Sequence, residues 1–89
     1  MINQVIIVGR IKAITGWGFT AEVQVPEGDK KYHPQIIPVF VVPSMMNNVL
    51  DYLKPQDVVG VKGCLDSRNG NLILRAEKLS FLASKKEDE

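Results

Sequence analysis

The strongest local signal in the sequence is the Asn69-Gly70 dipeptide, which lies between two extended apolar runs. Asn-Gly suits a tight turn between antiparallel strands, because the central positions of that turn need positive φ angles that Asn and Gly tolerate. The runs Val58 to Leu65 and Leu72 to Leu82 therefore predict a β-hairpin, connected through Ser67 to Asn71. A chain with this hairpin is expected to fold mainly from strands.

Three further strands are predicted upstream of the hairpin. Val5 to Ile11 is rich in β-branched residues, and both of its faces are apolar. Phe19 to Val25 alternates, with the inward positions predicted at Phe19, Ala21, Val23 and Val25. Ile36 to Val42 also favours a strand, although prolines in and around it indicate an edge, a bend or a bulge: Pro34, Pro38 and Pro43.

One short helix is predicted between the third strand and the hairpin. Ser44 is a suitable N-cap, Pro55 ends the segment after Lys54, and the apolar stripe comprises Met45, Val49, Leu50 and Leu53. This order of elements in 89 residues predicts an all-β, five-stranded Greek-key barrel of the oligonucleotide/oligosaccharide-binding (OB) type, with one short helix between strands 3 and 4. We expect the OB-fold domain to span residues 1–83 and a short charged C-terminal tail to span residues 84–89.

Composition argues against several functional classes. A chain this small is expected to lack a deep catalytic cleft, and one His with one Cys cannot supply the usual zinc ligand sets. We therefore expect no enzyme, no metal and no cofactor.

No apolar run approaches the roughly 18–20 residues of a membrane span, and the first residues do not resemble a signal peptide. The lone Cys64 fits a reducing cytoplasm.

The aromatic and basic residues near the strands point to single-stranded nucleic acid. Such a ligand needs flat side chains that stack on bases and cations that follow the phosphates. The stacking candidates are Trp17, Tyr32, His33 and Phe40, and the phosphate candidates are Arg10, Lys12, Lys31, Lys62, Arg68 and Arg75. The net charge of +1 is far from the basic balance of many nucleic-acid binders, so the prediction rests on placement.

Structural roles compete with binding at several of these positions. Trp17 lies between two glycines in a predicted turn, which favours a functional ring. Phe40 lies between Val39 and Val41, which favours a core or interface position over binding. Phe19, Tyr52 and Phe81 are assigned to packing. The two-sided apolar first strand also predicts association through Val5, Ile6, Ile7 and Val8, because a small domain leaves one face of that strand uncovered.

Three segments resemble the bacterial single-stranded DNA-binding protein family. They are Met1 to Ile11, the stretch from Asp51 to Leu65 with its V-x-V-x-G-x-L pattern, and Ala76 to Leu82. The resemblance implies an OB barrel that associates through its first strand and stacks aromatic side chains on bases. Tyr32-His33 is similar to the aromatic-His pair that opens the third strand in that family.

Two departures from the family pattern point to a compact member. The long hairpin arm is reduced to Asp66 to Asn71, and the acidic tail with an apolar tip is replaced by Lys85 to Glu89. The leading hypothesis is a sequence-independent, cytoplasmic single-stranded DNA-binding homodimer or homotetramer in replication, recombination or mobile-element DNA processing. A helicase or other replication protein is an expected partner. An OB-fold protein-protein adaptor and a single-stranded RNA binder remain open alternatives.

Overall fold

The computed structural model of the chain describes residues 1–84, except for the side chains of residues 48–51. The elements in chain order are β1 (Val5–Thr15), β2 (Gly18–Gly28), β3 (Lys31–Phe40), α1 (Pro43–Tyr52), β4 (Val58–Arg68) and β5 (Asn71–Ala83). The strands form a closed barrel in the order β1-β2-β3-β5-β4. This confirms the predicted five-stranded OB barrel with one helix between strands 3 and 4. Residues 85–89 of the expected tail lie outside the described residues.

Strand β3 closes the barrel through a very short contact. It pairs antiparallel with β2 along its length, but its parallel pairing with β5 is confined to Val39 with Leu74 and Phe40 with Arg75. Pro34 and Pro38 lie in the portion of β3 that has β2 as its only strand partner. Because proline cannot donate to a ladder, this free edge accommodates both, and the predicted edge is confirmed.

The barrel interior is filled by the side chains that alternate along the strands to face inward. The largest fully buried side chains are Phe19, Ile11, Leu74, Val39, Val41, Val59 and Val61. Burial of a side chain of this size contributes about 1.5–3 kcal/mol, so these residues account for much of the stability. The predicted inward positions Phe19 and Ala21 are both completely buried.

The first strand divides its apolar residues between the core and the surface. Val5 and Ile7 pack against the core, whereas Ile6 and Val8 are 69% and 59% exposed. The face of β1 that carries Ile6 and Val8 therefore has no cover within the barrel, as the sequence predicts, whereas Val5 and Ile7, also predicted at the interface, face the core.

The β4–β5 turn is tighter than expected. Asn69 and Gly70 have φ angles of 53° and 81°, which is the type I′ pattern, and the flanking Arg68 and Asn71 pair as the last residues of their strands. The turn itself is confirmed, and the strands extend up to it. Strand β2 continues to Gly28, and its pairing with β3 has a bulge between Pro26 and Gly28.

The helix begins two residues earlier than predicted. Pro43 is its first residue, and the carbonyl of Val42 accepts hydrogen bonds from the amides of Met45 (2.9 Å) and Met46 (3.0 Å). The assignment of Ser44 as N-cap is therefore wrong, because proline suits the first helical position, where no amide donor is needed. At ten residues the helix is too short to cross a bilayer, and the described residues contain no other helix.

Two aromatic residues assigned to packing are exposed instead. Tyr52 is 71% exposed at the end of α1, where the next residue, Leu53, takes the buried position. Phe81 is 50% exposed, because the end of β5 pairs with β4 alone. The packing prediction is confirmed for Phe19 and wrong for these two.

Candidate nucleic-acid interface

A groove of about 590 Å³ opens where the β1–β2 turn, the end of β3 and the β4–β5 hairpin meet. Its lining consists of Trp17, Pro38, Phe40, Arg68, Asn69, Asn71, Leu72 and Ile73. The fold thus brings Trp17, Phe40 and Arg68, three of the predicted binding residues, into one concave surface. Aromatic, cationic and amide groups in one groove can stack on a base, attract a phosphate and hydrogen-bond to base edges.

Trp17 is held in the groove by its backbone. Its amide donates to the Thr15 hydroxyl (3.3 Å), and its carbonyl accepts from the amide of Val41 (2.9 Å). The neighbouring Gly18 is required here, since a Cβ at that position would collide with the carbonyl oxygen of Val39. The turn is therefore fixed against β3, while the residue remains 42% exposed and available for stacking.

Phe40 and Arg68 are in direct contact in the groove. The guanidinium carbon of Arg68 lies 4.2 Å from the centre of the Phe40 ring, which is a cation–π contact. Phe40 is partly buried, and Arg68 at the end of β4 is exposed. Since the solvent side of the pair is the arginine side, the guanidinium covers the ring face that a ligand would approach.

Arg75 lies beside the groove and is fixed by its neighbours. It pairs with Phe40 across β3 and β5, and its guanidinium contacts Asp66 Oδ2 at 3.3 Å and Cys64 Sγ at 3.7 Å. The hydrogen bond to Cys64, with the charges of Cys64 and Asp66, raises the pKa of Arg75 above its ordinary value. Arg75 is therefore a permanent cation next to the stacking groups.

The outer face of β4 and β5 carries a line of cations that leads away from the groove. Alternate residues on β4 place Lys62 and Arg68 on this face, and the pairing places Lys78 opposite Lys62 and Arg75 opposite Cys64. We call this set the basic ribbon: Lys62, Arg68, Arg75 and Lys78. Neither lysine forms an ion pair within residues 1–84. Like charges directly opposite each other are unfavourable, so a bound anion would stabilise them.

Lys78 was missed by the reasoning from sequence. The register of β4 and β5 shifts between Lys62 and Gly63, whose partners are Lys78 and Ala76. The extra residue of this bulge places Lys78 opposite Lys62. Strict alternation along β5 would place Lys78 on the face opposite Arg75. Only the pairing with β4, which contains the bulge, shows that Lys78 lies opposite Lys62.

The residues Lys31, Tyr32 and His33 lie at the opposite end of β3. The backbone separation of Tyr32 and Phe40 is about 26 Å, from eight residues at about 3.3 Å each. Tyr32 is 62% exposed, and Nδ1 of His33 lies 2.8 Å from Oε1 of Glu27. These predicted residues are together on one hairpin but outside the groove.

An apolar track connects the two ends of β3. Residues of equal parity share one face of a strand, which places the following on the face of Phe40: Tyr32, Pro34, Ile36 and Pro38. Ile36 is 44% exposed and Tyr32 is 62% exposed. We call these four residues together with Phe40 the β3 track. The track ends in the groove, because Pro38 and Phe40 belong to the track and also line the groove.

Arg10 and Lys12 each have a partner elsewhere on the barrel. Arg10 Nη1 donates to the carbonyl of Gln56 (2.8 Å), which ties β1 to the segment before β4. Lys12 Nζ lies 3.6 Å from Glu22 Oε1 on the neighbouring strand. Neither residue lines the groove. Their predicted phosphate contacts stay predictions.

The exposed side of β1 forms an apolar patch with the end of β5. Val8 pairs with Gly60, and Leu82 lies over that glycine, with its Cδ1 3.7 Å from where a Cβ would be. Leu82 is 50% exposed. We call Ile6, Val8 and Leu82 the β1 patch. Among the side chains that the structure describes, no three of His, Cys, Asp or Glu cluster closely enough to hold a metal ion.

The structure thus defines an OB barrel with an aromatic and cationic groove at the end where β3 meets β5. No family model matches the chain, and no curated protein matches its sequence. Among solved structures, the small single-stranded DNA-binding protein from Streptomyces coelicolor is similar, with a TM-score of 0.74, 18% identity, and coverage of 92% of this chain and 95% of that chain.

Two other similar structures come from different organisms. The mitochondrial single-stranded DNA-binding protein Rim1 from S. cerevisiae gives a TM-score of 0.64 at 16% identity, covering 94% of this chain and 97% of that chain. The dimeric N-terminal domain of the PriB protein from Thermoanaerobacter tencongensis gives 0.63 at 18% identity, covering 92% and 98%. The resemblance seen in three sequence segments is confirmed at the level of the fold.

Proposed function

We propose that this chain is a non-enzymatic protein that binds single-stranded DNA without sequence preference. The observation that carries the proposal is the convergence of Trp17, Phe40 and Arg68 in one groove. The fold shared with single-stranded DNA-binding proteins supports it. Stacking suits a sequence-tolerant site, because every base has a π-face, and each stacked base contributes about 1–3 kcal/mol.

The proposed DNA path uses three surfaces. Bases stack on Trp17 and Phe40 in the groove, and phosphates follow the basic ribbon towards Lys62 and Lys78. On the other side the strand follows the β3 track to Tyr32, where Lys31 supplies a cation. A path of this length fits the range of about 4–16 nucleotides bound by one OB fold.

The near-neutral charge sets the expected strength of binding. The whole chain carries +1, and the ribbon places four cations along β4 and β5, with Asp66 in contact with Arg75. Affinity should therefore be modest and should fall steeply as salt rises, because each neutralised phosphate releases a counterion.

We further propose that two or more copies associate through the β1 patch. Ile6 and Val8 are the two most exposed branched aliphatic side chains within the strands of residues 1–84, apart from Leu72 on the hairpin. A self-complementary apolar face would bury them against the same residues of a second copy. Association would also multiply the modest charge of each basic ribbon.

The test of association compares two matched variants. Ile6→Glu places a charge on the β1 patch, and Ile36→Glu places the same charge on the exposed β3 track. Light scattering should give a dimer or tetramer for wild type and Ile36→Glu, and a smaller species for Ile6→Glu. A wild-type monomer at micromolar concentration would contradict the association proposal.

We propose that this activity serves replication, recombination or mobile-element DNA processing in the cytoplasm. Its proposed partner is a helicase or another replication protein. An OB-fold adaptor that binds proteins is the competing function, because the β3 track offers exposed apolar side chains without a charge. Binding assays with nucleic acid separate the two directly.

The experiment that tests the function is a titration of labelled oligo-dT, about 35 nucleotides long, followed by fluorescence anisotropy. Matched arms use duplex DNA of the same length and oligo-U RNA, which carries the 2′-hydroxyl. We expect saturable binding to single-stranded DNA at low salt, weaker binding to duplex, and loss of affinity at higher salt. Equal affinity for duplex and single strand, or no binding at low salt, would contradict the proposal.

A further inference from the structure

We infer that Phe40 and Arg68 form a clamp that holds one base between the phenyl ring and the guanidinium plane. The inference rests on the proposed function and assigns Arg68 a different part in it. As a general phosphate contact, Arg68 would act only through its charge. As a clamp, it would act through its planar shape and its position over the ring.

In the free protein the clamp is closed. The Arg68 guanidinium carbon lies 4.2 Å from the Phe40 ring centre, on the solvent side of a partly buried ring. A base therefore cannot stack on Phe40 while Arg68 keeps this position. Binding in the groove requires the guanidinium to leave the ring.

Arg68 is free to move, in contrast to Arg75. Arg75 is held by Asp66 and Cys64, whereas the contact with Phe40 is the one side-chain interaction of Arg68 within residues 1–84. Arg68 is also the last residue before the turn, and the space around Gly70 is open. The side chain can lift without breaking an ion pair.

An arginine is suited to close again over a base. Guanidinium is planar and weakly hydrated, so it stacks on flat rings, and bases are known to stack on it as they do on aromatic residues. Stacked layers are separated by about 3.4 Å, so one inserted base would widen the Phe40–Arg68 separation to about 7 Å. The groove of about 590 Å³ has room for this change.

The test uses Arg68→Lys, which keeps the charge and removes the plane, and Arg75→Lys as the matched control. Arg68→Ala removes both charge and plane. Each variant is titrated with labelled oligo-dT of about 35 nucleotides over a salt series, and with an abasic oligonucleotide of the same length. Thermal melting checks that the exposed substitution leaves the fold intact.

We expect Arg68→Lys to weaken binding to oligo-dT by roughly five- to tenfold while leaving the salt slope unchanged, since the charge is retained. Arg75→Lys makes the same exchange at a ribbon cation that does not cover Phe40, so it should weaken oligo-dT binding less than Arg68→Lys does. Arg68→Lys should not change binding to the abasic strand. If Arg68→Lys binds oligo-dT like wild type, Arg68 is a phosphate contact and the clamp is wrong. If Arg68→Ala binds more tightly, Arg68 is only a cover on Phe40.

If wild type binds the abasic strand as tightly as oligo-dT, base stacking is excluded. If it binds neither strand, the proposed function fails as well.

Discussion

The two ends of β3 present similar residue types in different surroundings. At one end Phe40 meets Trp17 from the β1–β2 turn and Arg68 from the β4–β5 hairpin, so three segments form one concave groove. At the other end Lys31, Tyr32 and His33 belong to a single hairpin, where Tyr32 is 62% exposed. Aromatic and cationic residues from three segments therefore meet at one end of β3, whereas those at the other end belong to one hairpin.

The difference indicates where binding free energy should concentrate. The backbone of Trp17 is tied to Val41 and Thr15, and Phe40 is held by pairing with both β2 and β5. Side chains on such a fixed frame lose little conformational freedom when a ligand binds. Tyr32 has a strand partner on one side only, so more of its stacking energy is offset by ordering.

The largest effect is expected at the groove. Phe40→Leu keeps apolar bulk and removes the flat ring, and it should weaken oligo-dT binding by about 1–3 kcal/mol. Anisotropy titration at low salt measures the change, with thermal melting as the control for folding. An unchanged affinity in a folded variant would remove Phe40 from the site.

The matched substitution at the hairpin tip should have a smaller effect. Tyr32→Leu removes a ring of similar size from an isolated position, so the expected loss is about 1 kcal/mol, at the lower end of the stacking range. The same titration measures it. A loss equal to that of Phe40→Leu would mean that the two ends of β3 contribute alike, and the contrast between them would be wrong.

The basic ribbon should be visible mainly in the salt dependence. The double variant Lys62→Gln with Lys78→Gln removes an unpaired cation pair, so the slope of log affinity against log salt should become shallower by about 1.4, from about 0.7 for each phosphate contact. Lys54→Gln on the segment after α1 is the single-site control. An unchanged slope would place the strand on another surface.

The smallest effects are expected from two acids, one at each end. Asp66→Asn removes the carboxylate that contacts Arg75, so oligo-dT affinity should rise about twofold at low salt. Glu27→Gln beside His33 should change affinity by less than that, because the tip is exposed and screened. A larger gain for Glu27→Gln would indicate that the tip is the stronger electrostatic contact.

Much of the fold could be predicted because its signals are local. Asn69-Gly70 defines its own turn, and the alternation of Phe19 and Ala21 predicts their burial directly. Trp17 was recognised as a surface ring because a glycine flanks it on each side. The start of the helix differs from the prediction. The sequence places Pro43 beside the third strand, whereas Pro43 is the first residue of the helix.

The residues of the groove were candidates from sequence, but their convergence could not be predicted, because it depends on barrel closure. Phe40 and Arg68 meet only once β3 pairs with β5, a contact made by two residue pairs distant in sequence. The bulge that brings Lys78 opposite Lys62 is likewise a property of the strand pair. Arg10 has a nonlocal partner, the carbonyl of Gln56, for which its own segment gives no signal.

The most direct test of the central claim uses Trp17, the only tryptophan, as an internal probe of the groove. Unlabelled oligo-dT of about 35 nucleotides is titrated into the wild-type protein at low salt, with duplex DNA of equal length in parallel. If single-stranded DNA binds in the groove, it should quench tryptophan fluorescence saturably, with the same midpoint as in the anisotropy titration. Added salt should reverse the quenching. Binding detected by anisotropy without any change in Trp17 fluorescence would show that the strand does not enter the groove, and would contradict the account.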